Sequence, residues 1–185
     1  MLTLLTLLPL VAGVIVAGLG EWPRVARRVA LGAALGALGL ALGLWQGFDA
    51  ASGELQFVER HDWIPSLGVS YFVGVDGLGL LMVLLTALLV PMAMLASRGA
   101  TAPQAASETG GAVSVPLARA HLYLSLMLFL EAGLFGTFTA QNFFHWFLFW
   151  ELSLVPAFFL VRLWGGPQRA PAATQFFLYT LVGSV

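Results

Sequence analysis

The sequence predicts an all-α protein, a polytopic transmembrane helix bundle with about six spans. The chain is 59% hydrophobic and only 9% charged, whereas soluble domains carry about 25% charged residues. The apolar residues lie in long blocks, and a membrane-crossing helix needs about 20 of them. Charged residues lie mostly between these blocks, as expected for the loops of a membrane protein.

Composition and motifs exclude several kinds of site. The sequence has no Cys, so it forms no disulfide, thiolate metal site or Cys nucleophile. Its net charge is −1 and its basic residues are dispersed, so no nucleic-acid partner is expected. Phosphate-loop and HExxH zinc motifs are missing, and the three histidines are scattered. We therefore expect no cofactor and no metal in this chain, and the lipid bilayer as its surroundings.

Windowed hydropathy divides the chain into six apolar blocks, and we expect residues 1–185 to form a single membrane domain. The first block lacks a basic leading segment and is too long for the apolar part of a signal peptide, so we expect it to be retained. The last block has only about 14 residues, fewer than a span requires, so we expect the chain to be a fragment. The blocks are residues 2–20, 25–45, 75–96, 117–139, 143–163 and 172–185.

The arginines predict the orientation of the bundle. All of them except Arg60 flank alternate loops, those after the first, third and fifth blocks. The positive-inside rule places these loops in the cytoplasm and the N-terminus outside. The segment 46–74 then faces outward, and its charges are mainly acidic.

Two connecting segments differ in character. The outward loop, residues 46–74, contains aromatic and β-branched residues interrupted by Pro65 and Gly68, which predicts a short β-hairpin on the membrane surface. The cytoplasmic linker, residues 99–116, is rich in Gly, Ala, Ser and Pro and is typical of a flexible connector.

A glycine stripe in the second block has two interpretations. Gly32, Gly36, Gly39 and Gly43 lie at helical spacing on one face. Small residues let helix backbones approach closely in lipid, so the stripe indicates a tight helix interface. It is equally consistent with the high glycine content of the whole chain.

The strongest functional candidates are two glutamates inside apolar blocks. Glu131 and Glu151 flank a turn near residues 140–142, and helical rise places both roughly 14–17 Å from it. That depth is near the middle of a hydrocarbon core about 30 Å thick. Ionisable residues there are costly and usually functional.

The surroundings of these glutamates leave three interpretations open. The residues at helical contact spacing are apolar, and no arginine lies at that depth. The carboxylates exchange protons, or a cation from elsewhere holds them ionised, or they remain protonated and only bond neighbouring helices. Pro156, whose missing donor affects Leu152, predicts a local opening beside Glu151. His145 is a candidate relay, about 9 Å along the helix axis and connected only through water.

Three stretches of the sequence resemble a known family. WELSLVPAFFLVRLWGG (150–166), FFLYT (176–180) and the stretch 57–97 resemble chain M, or NADH dehydrogenase subunit 4, of respiratory complex I. The Mrp-type cation/proton antiporter subunits share this general fold. The resemblance spans most of residues 57–185, while the first two blocks add little beyond hydropathy.

The resemblance implies an antiporter-like fold of about fourteen spans built from inverted repeats, of which this chain is the N-terminal part. It implies that Glu151 is essential for proton translocation and that Glu131 matches a second acidic position. In the family the glutamate that matches Glu151 works with a lysine on the seventh helix, and this chain contains no lysine. The family often has a basic residue before FFLYT, where this chain has Gln175.

These observations predict a proton-translocating membrane subunit of NADH–quinone oxidoreductase in a bacterial-type inner membrane. The redox reaction would occur in partner subunits, and the other membrane subunits of complex I, including sibling antiporter-like subunits, are the expected partners. Two alternatives remain open. The chain would be part of a stand-alone Mrp-type sodium/proton antiporter, or it would be a structural membrane scaffold in which neither glutamate affects transport.

Overall fold

The computed structural model describes residues 1–64, 66, 69–97 and 119–184. Within these ranges the chain forms six helices and one two-stranded antiparallel hairpin, as the sequence predicts. The predicted linker at 99–116 and the turn residues Pro65 and Gly68 lie outside the described residues. The elements are α1 (Leu2–Gly18), α2 (Pro23–Gln46), β1 (Gln56–Ile64), β2 (Val69–Val75), α3 (Gly77–Ala96), α4 (Ala120–Thr139), α5 (Phe143–Trp164) and α6 (Arg169–Ser184).

Four of the helices, α2 to α5, are long and apolar enough to cross a membrane. Helix α1 is apolar but has 17 residues, and α6 has 16. Many large apolar side chains of the bundle are exposed, among them Leu81, Phe143 and Val182. Exposed apolar surface on this scale is expected where helices face lipid.

Local sequence explains where several helices begin. Pro23 occupies the first turn of α2, where its fixed φ suits a helix and its missing N–H removes no hydrogen bond within the helix. The Asp76 carboxylate accepts a hydrogen bond from the Gly79 amide at 2.6 Å and caps α3. The third block was predicted to begin at Val75, but Val75 pairs with Gln56 in the hairpin, so the helix begins after the cap. Asn142 caps α5 through the Phe144 amide at 2.9 Å.

The β1–β2 hairpin lies at one end of the bundle, here called the hairpin end. His61 pairs with Tyr71 across the strands, and the register shifts between Gln56 and Glu59. Phe57 lies in this shift with φ 53°, the left-handed conformation that allows a strand to accommodate an extra residue. The hairpin also contacts the turn between α4 and α5, because the Gln141 amide donates to the Phe72 carbonyl at 2.9 Å.

Helix α4 is the most buried of the four long apolar helices and packs against α1, α2, α3 and α5. Two apolar clusters fill the interior. One lies toward the hairpin end and includes Leu44, Val75 and Phe135. The other lies toward the opposite end and includes Ala30 and Leu128. Because Phe135 and Leu128 both belong to α4, this helix connects the two clusters.

The glycine stripe of α2 forms a helix contact at two of its four positions. A Cβ at Gly36 would lie 3.2 Å from Leu8 of α1, and one at Gly43 would lie 3.3 Å from Met1. Positions 32 and 39 face open space. The tight-interface interpretation therefore holds only for Gly36 and Gly43, and alanines make up most of the buried positions of α2.

Candidate functional site

Glu131 lies at the centre of the bundle on α4. Its side chain is 0% exposed, and neither carboxyl oxygen has a hydrogen-bond partner among the described residues. Leu128 and Phe135, one turn away on either side, are also fully buried. Burying a carboxyl group without a partner is costly, so packing alone does not favour glutamate at this position.

Glu151 on α5 has different surroundings. It is half-buried, and its Oε1 accepts a hydrogen bond from the Ser184 hydroxyl of α6 at 2.6 Å. This partner is not predictable from the sequence, because Ser184 is 33 residues away along the chain and carries no charge. The only available signal was a small hydroxyl residue at the far end of the last apolar block.

Two glycines of α4 allow α5 to approach closely. A Cβ at Gly133 would lie 2.9 Å from both the amide nitrogen and the Cα of Ser153. A Cβ at Gly136 would overlap the ring of Phe149, 2.0 Å from its Cδ1. The two helices that carry the glutamates are therefore in direct backbone contact at Gly133.

This contact corrects the relative depth predicted for the two glutamates. Glu131 is two residues farther from the 140–142 turn than Gly133, and Glu151 is two residues nearer to the turn than Ser153. Because α4 and α5 run in opposite directions, Glu131 lies about 6 Å farther from the turn than Glu151. Counting residues from the turn gave nearly equal depths, because that count ignores the axial displacement of α5 relative to α4.

His145 lies nearer to the hairpin end on α5. It is 2% exposed and stacks on Phe149 of its own helix, with ring centroids 4.8 Å apart. It also contacts Tyr71 of β2 at 4.9 Å between ring centroids. Its Nδ1 has no hydrogen-bond partner in the part of the chain that is described.

A cavity of about 410 Å³ borders His145 and is open on one side. Its walls come from α1, the hairpin and α5. The lining residues are Thr3, His61, Asp62, Trp63, Tyr71, His145, Leu148 and Phe149. Because several of them are polar and the cavity exceeds the volume of one water, about 30 Å³, the cavity has room for water next to the imidazole.

A hydrogen-bonded network that was not predicted from the sequence joins α1 to the hairpin. Glu59 of β1 accepts hydrogen bonds from the Leu2 amide at 2.8 Å and from the Thr3 amide at 3.3 Å. Its carboxylate also contacts the Met1 ammonium and the Thr3 hydroxyl, and that hydroxyl lies 2.8 Å from the hydroxyl of Tyr71. A carboxylate at a helix N-terminus satisfies free amides and complements the helix dipole.

The ionisation of this network follows from its contacts. Burial raises the pKa of Glu59, but hydrogen bonds from the Met1 ammonium and Thr3 outweigh it, so the pKa lies below the ordinary 4.5. Burial raises the pKa of Tyr71 above 10.0. Glu59 is thus held as a carboxylate that caps α1.

Within the described ranges, no three His, Asp or Glu residues converge in a way that would hold a metal ion.

Comparison with known proteins identifies relatives of this chain. Residues 140–185, which include Glu151 and Ser184, match the family "NADH:quinone oxidoreductase/Mrp antiporter, TM". NAD(P)H-quinone oxidoreductase chain 4 2 of Thermosynechococcus vestitus is 39% identical over 186 residues, which cover 100% of this chain and 32% of the relative. F(420)H(2) dehydrogenase subunit M of Methanosarcina mazei is 37% identical over 147 residues, 80% of this chain and 27% of the relative.

The fold is also similar to that of solved membrane-complex subunits. A chain of respiratory complex I from Thermus thermophilus superposes with a TM-score of 0.77 at 30% identity, covering 100% of this chain and 34% of that chain. The chain belongs to the antiporter-like subunit family. A chain of the Mrp complex from a Dietzia species has a TM-score of 0.72 at 24% identity, which shows a shared antiporter-like fold alone. It covers 99% of this chain and 18% of that one.

These findings confirm the predicted family and the membrane-embedded helical fold. The antiporter-like chain described here spans about a third of the length of the first relatives it matches, and the matched region is their N-terminal part. The roles of Glu131, Glu151 and His145 in transport are not tested by these similarities and stay predictions.

Proposed function

We propose that this chain is part of a proton-translocating subunit of a membrane quinone oxidoreductase of the complex I type. The observation that carries the proposal is the pair of carboxyl groups on two helices in backbone contact. Among the described residues, Glu131 is fully buried without a hydrogen-bond partner, and Glu151 is half-buried with one hydroxyl partner. Ionisable groups in such surroundings are expensive and typically mark ion pathways.

In this proposal Glu151 is the principal proton-exchanging group and Glu131 is a neighbouring relay site. The two carboxyl groups lie on helices in backbone contact, and each is two residues from that contact. His145 is a candidate relay toward the hairpin end, through water in the adjoining cavity. The redox reaction, NADH to quinone, takes place in partner subunits.

The membrane setting and the partners are part of the same proposal. The chain lies in a bacterial-type inner membrane with its N-terminus and its hairpin end outside, as the arginine distribution indicates. Its partners are the other membrane subunits of the complex, including sibling antiporter-like subunits. The multi-subunit assemblies among the structurally similar proteins support this part.

The proposal is tested by Glu151→Gln in the intact complex, with NADH-driven proton uptake into inverted membrane vesicles as the measurement. We expect uptake to be lost, either with electron transfer intact or together with it. Glu54→Gln is the matched control, because Glu54 lies in the exposed loop before β1 and should leave uptake unchanged. Normal uptake and normal electron transfer in an assembled Glu151→Gln complex would refute the proposal.

A stand-alone Mrp-type antiporter is the second candidate, supported by the shared fold and by the family match, whose description names both kinds of subunit. It predicts sodium/proton exchange driven by an ion gradient without NADH. A structural scaffold predicts that Glu131→Gln and Glu151→Gln both leave transport unchanged in either assay.

A further inference from the structure

The Ser184 hydroxyl has two acceptors within reach and only one proton to donate. Its Oγ lies 2.6 Å from Glu151 Oε1 and 3.0 Å from the carbonyl oxygen of Leu181 on its own helix. A serine hydroxyl has one O–H donor and two acceptor lone pairs. It therefore donates to one of these two oxygens at a time, and the charge of Glu151 decides which.

When Glu151 is ionised, the carboxylate is the stronger acceptor. The distance of 2.6 Å lies within the range of about 2.5–2.7 Å typical of a hydroxyl that donates to a carboxylate. In this state the Leu181 carbonyl loses the serine as a donor. When Glu151 takes up a proton, its own O–H donates to Ser184 Oγ, and the serine proton turns to the Leu181 carbonyl.

We propose that Ser184 is a positioning residue for Glu151, and that its hydroxyl exchanges hydrogen-bond partners each time the glutamate gains or loses a proton. No covalent bond of the serine changes in this step, since only its O–H rotates. The inference rests on the proposed function, in which Glu151 exchanges protons. It adds that α6 takes part in each exchange through a backbone carbonyl.

The contrast with Glu131 supports a specific role for this contact. Glu131 has no hydroxyl partner among the described residues, although Ser125 and Thr137 lie on the same helix. Both of those hydroxyls donate to backbone carbonyls, Ser125 to Gly13 at 2.8 Å and Thr137 to Gly133 at 2.8 Å. Hydroxyl groups that bond carbonyls are thus common in this bundle, and among those described Ser184 also contacts a carboxylate.

The test compares Ser184→Ala with Ser184→Thr in the intact complex. Loss of the hydroxyl should slow NADH-driven proton uptake by about tenfold, which corresponds to about 1.4 kcal/mol, near the lower end for a hydrogen bond to a charged group. Ser184→Thr keeps a hydroxyl and should behave like the wild type. Thr180→Val is the matched control, because the Thr180 hydroxyl on the same helix bonds the Phe176 carbonyl at 2.8 Å and lies a full turn away.

A spectroscopic measurement separates positioning from a general effect on α6. The infrared band of the protonated Glu151 carboxyl group is identified by its loss in Glu151→Gln. Ser184→Ala should shift this band, while Ser184→Thr and Thr180→Val leave it in place. If Ser184→Ala leaves both band and uptake unchanged, or if Thr180→Val slows uptake equally, the role assigned to Ser184 is wrong.

Two further outcomes are distinguishable. If Glu151→Gln leaves uptake unchanged, the proposed function fails and the serine inference fails with it. If Glu151→Gln abolishes uptake while Ser184→Ala matches the wild type, only the serine inference fails. Should the alanine variant not assemble, Ser184→Cys keeps a side chain of similar shape with a much weaker donor. Ser184→Cys should then shift the infrared band of the protonated Glu151 carboxyl group, and an unshifted band overturns the inference.

Discussion

The backbone contact between α4 and α5 predicts a severe effect of Gly133→Ala. The added methyl group would lie 2.8 Å from the Ser153 Cβ and 2.9 Å from its Cα and amide nitrogen. Carbon atoms in favourable contact are about 3.5–4.0 Å apart, so the helices must separate by roughly 0.5–1 Å. Because two of the opposing atoms belong to the backbone, no change of side-chain rotamer relieves the overlap.

The expected cost follows from this forced separation. Adding a methyl group to a well-packed interior destabilises a protein by about 1–3 kcal/mol. Glu131 and Glu151 each lie two residues from the contact, so the separation also displaces both carboxyl groups. We expect Gly133→Ala to lower the temperature of thermal inactivation of the complex and to reduce proton uptake in the complexes that still assemble.

Gly32→Ala provides the matched control, because a Cβ at Gly32 meets no atom within 4 Å. Alanine is favoured over glycine in a helix by about 1 kcal/mol, so this control should be neutral or slightly stabilising. The measurements are thermal inactivation of the purified complex and NADH-driven proton uptake in vesicles. If Gly133→Ala equals Gly32→Ala in both, α4 and α5 are not in the contact described.

Two other predictions concern carboxyl groups. Glu131 is a buried carboxyl group with no hydrogen-bond partner among the described residues, and burying such a group destabilises a protein by about 1–3 kcal/mol. Glu131→Leu removes this group, so the substitution should raise thermal stability while lowering proton uptake. Lower stability with normal uptake would contradict a relay role; Glu54→Leu in the exposed loop is the control. Glu59 has a lowered pKa in the folded state, so its contribution to stability is complete above the unfolded value near 4.5 and is lost as pH falls through the folded value. Relative to the intrinsic exchange rate at each pH, the Leu2 and Thr3 amides should therefore lose protection against hydrogen exchange as pH falls below 4.5 in the wild type. Glu59→Gln should weaken that acid response, and an unchanged response would refute the cap.

Much of the architecture was predictable because it depends on patterns local to the chain. Hydropathy identified all six helices of the described part of the chain, and β-branched and aromatic residues around a Pro and a Gly identified the hairpin. The observed start of α3 differs from the predicted one, because a strand and a helix cap determine where that helix begins. Val75 is apolar like the helix that follows it, yet it belongs to β2, because Asp76 starts α3 by accepting a hydrogen bond from the Gly79 amide.

The candidate site was predictable only in part. Glu131 and Glu151 are visible in the sequence because acidic residues are rare inside apolar blocks. Their different partners are not visible, because the contact with Ser184 depends on how α5 and α6 pack. The capping of α1 by Glu59 joins residues 57 positions apart and appears only once the hairpin lies over the first helix.

The axial offset between the two glutamates has an electrical consequence. A displacement of about 6 Å is roughly one fifth of a hydrocarbon core about 30 Å thick. Moving one charge across a full membrane at 100 mV involves about 2.3 kcal/mol, so moving a proton between these carboxyl groups involves about 0.5 kcal/mol. With the hairpin end outside, as proposed, a potential that is negative inside shifts the proton toward Glu131 by about twofold. If the two carboxyl groups exchange a proton as proposed, the axial displacement of α5 along α4 makes that exchange weakly voltage-dependent.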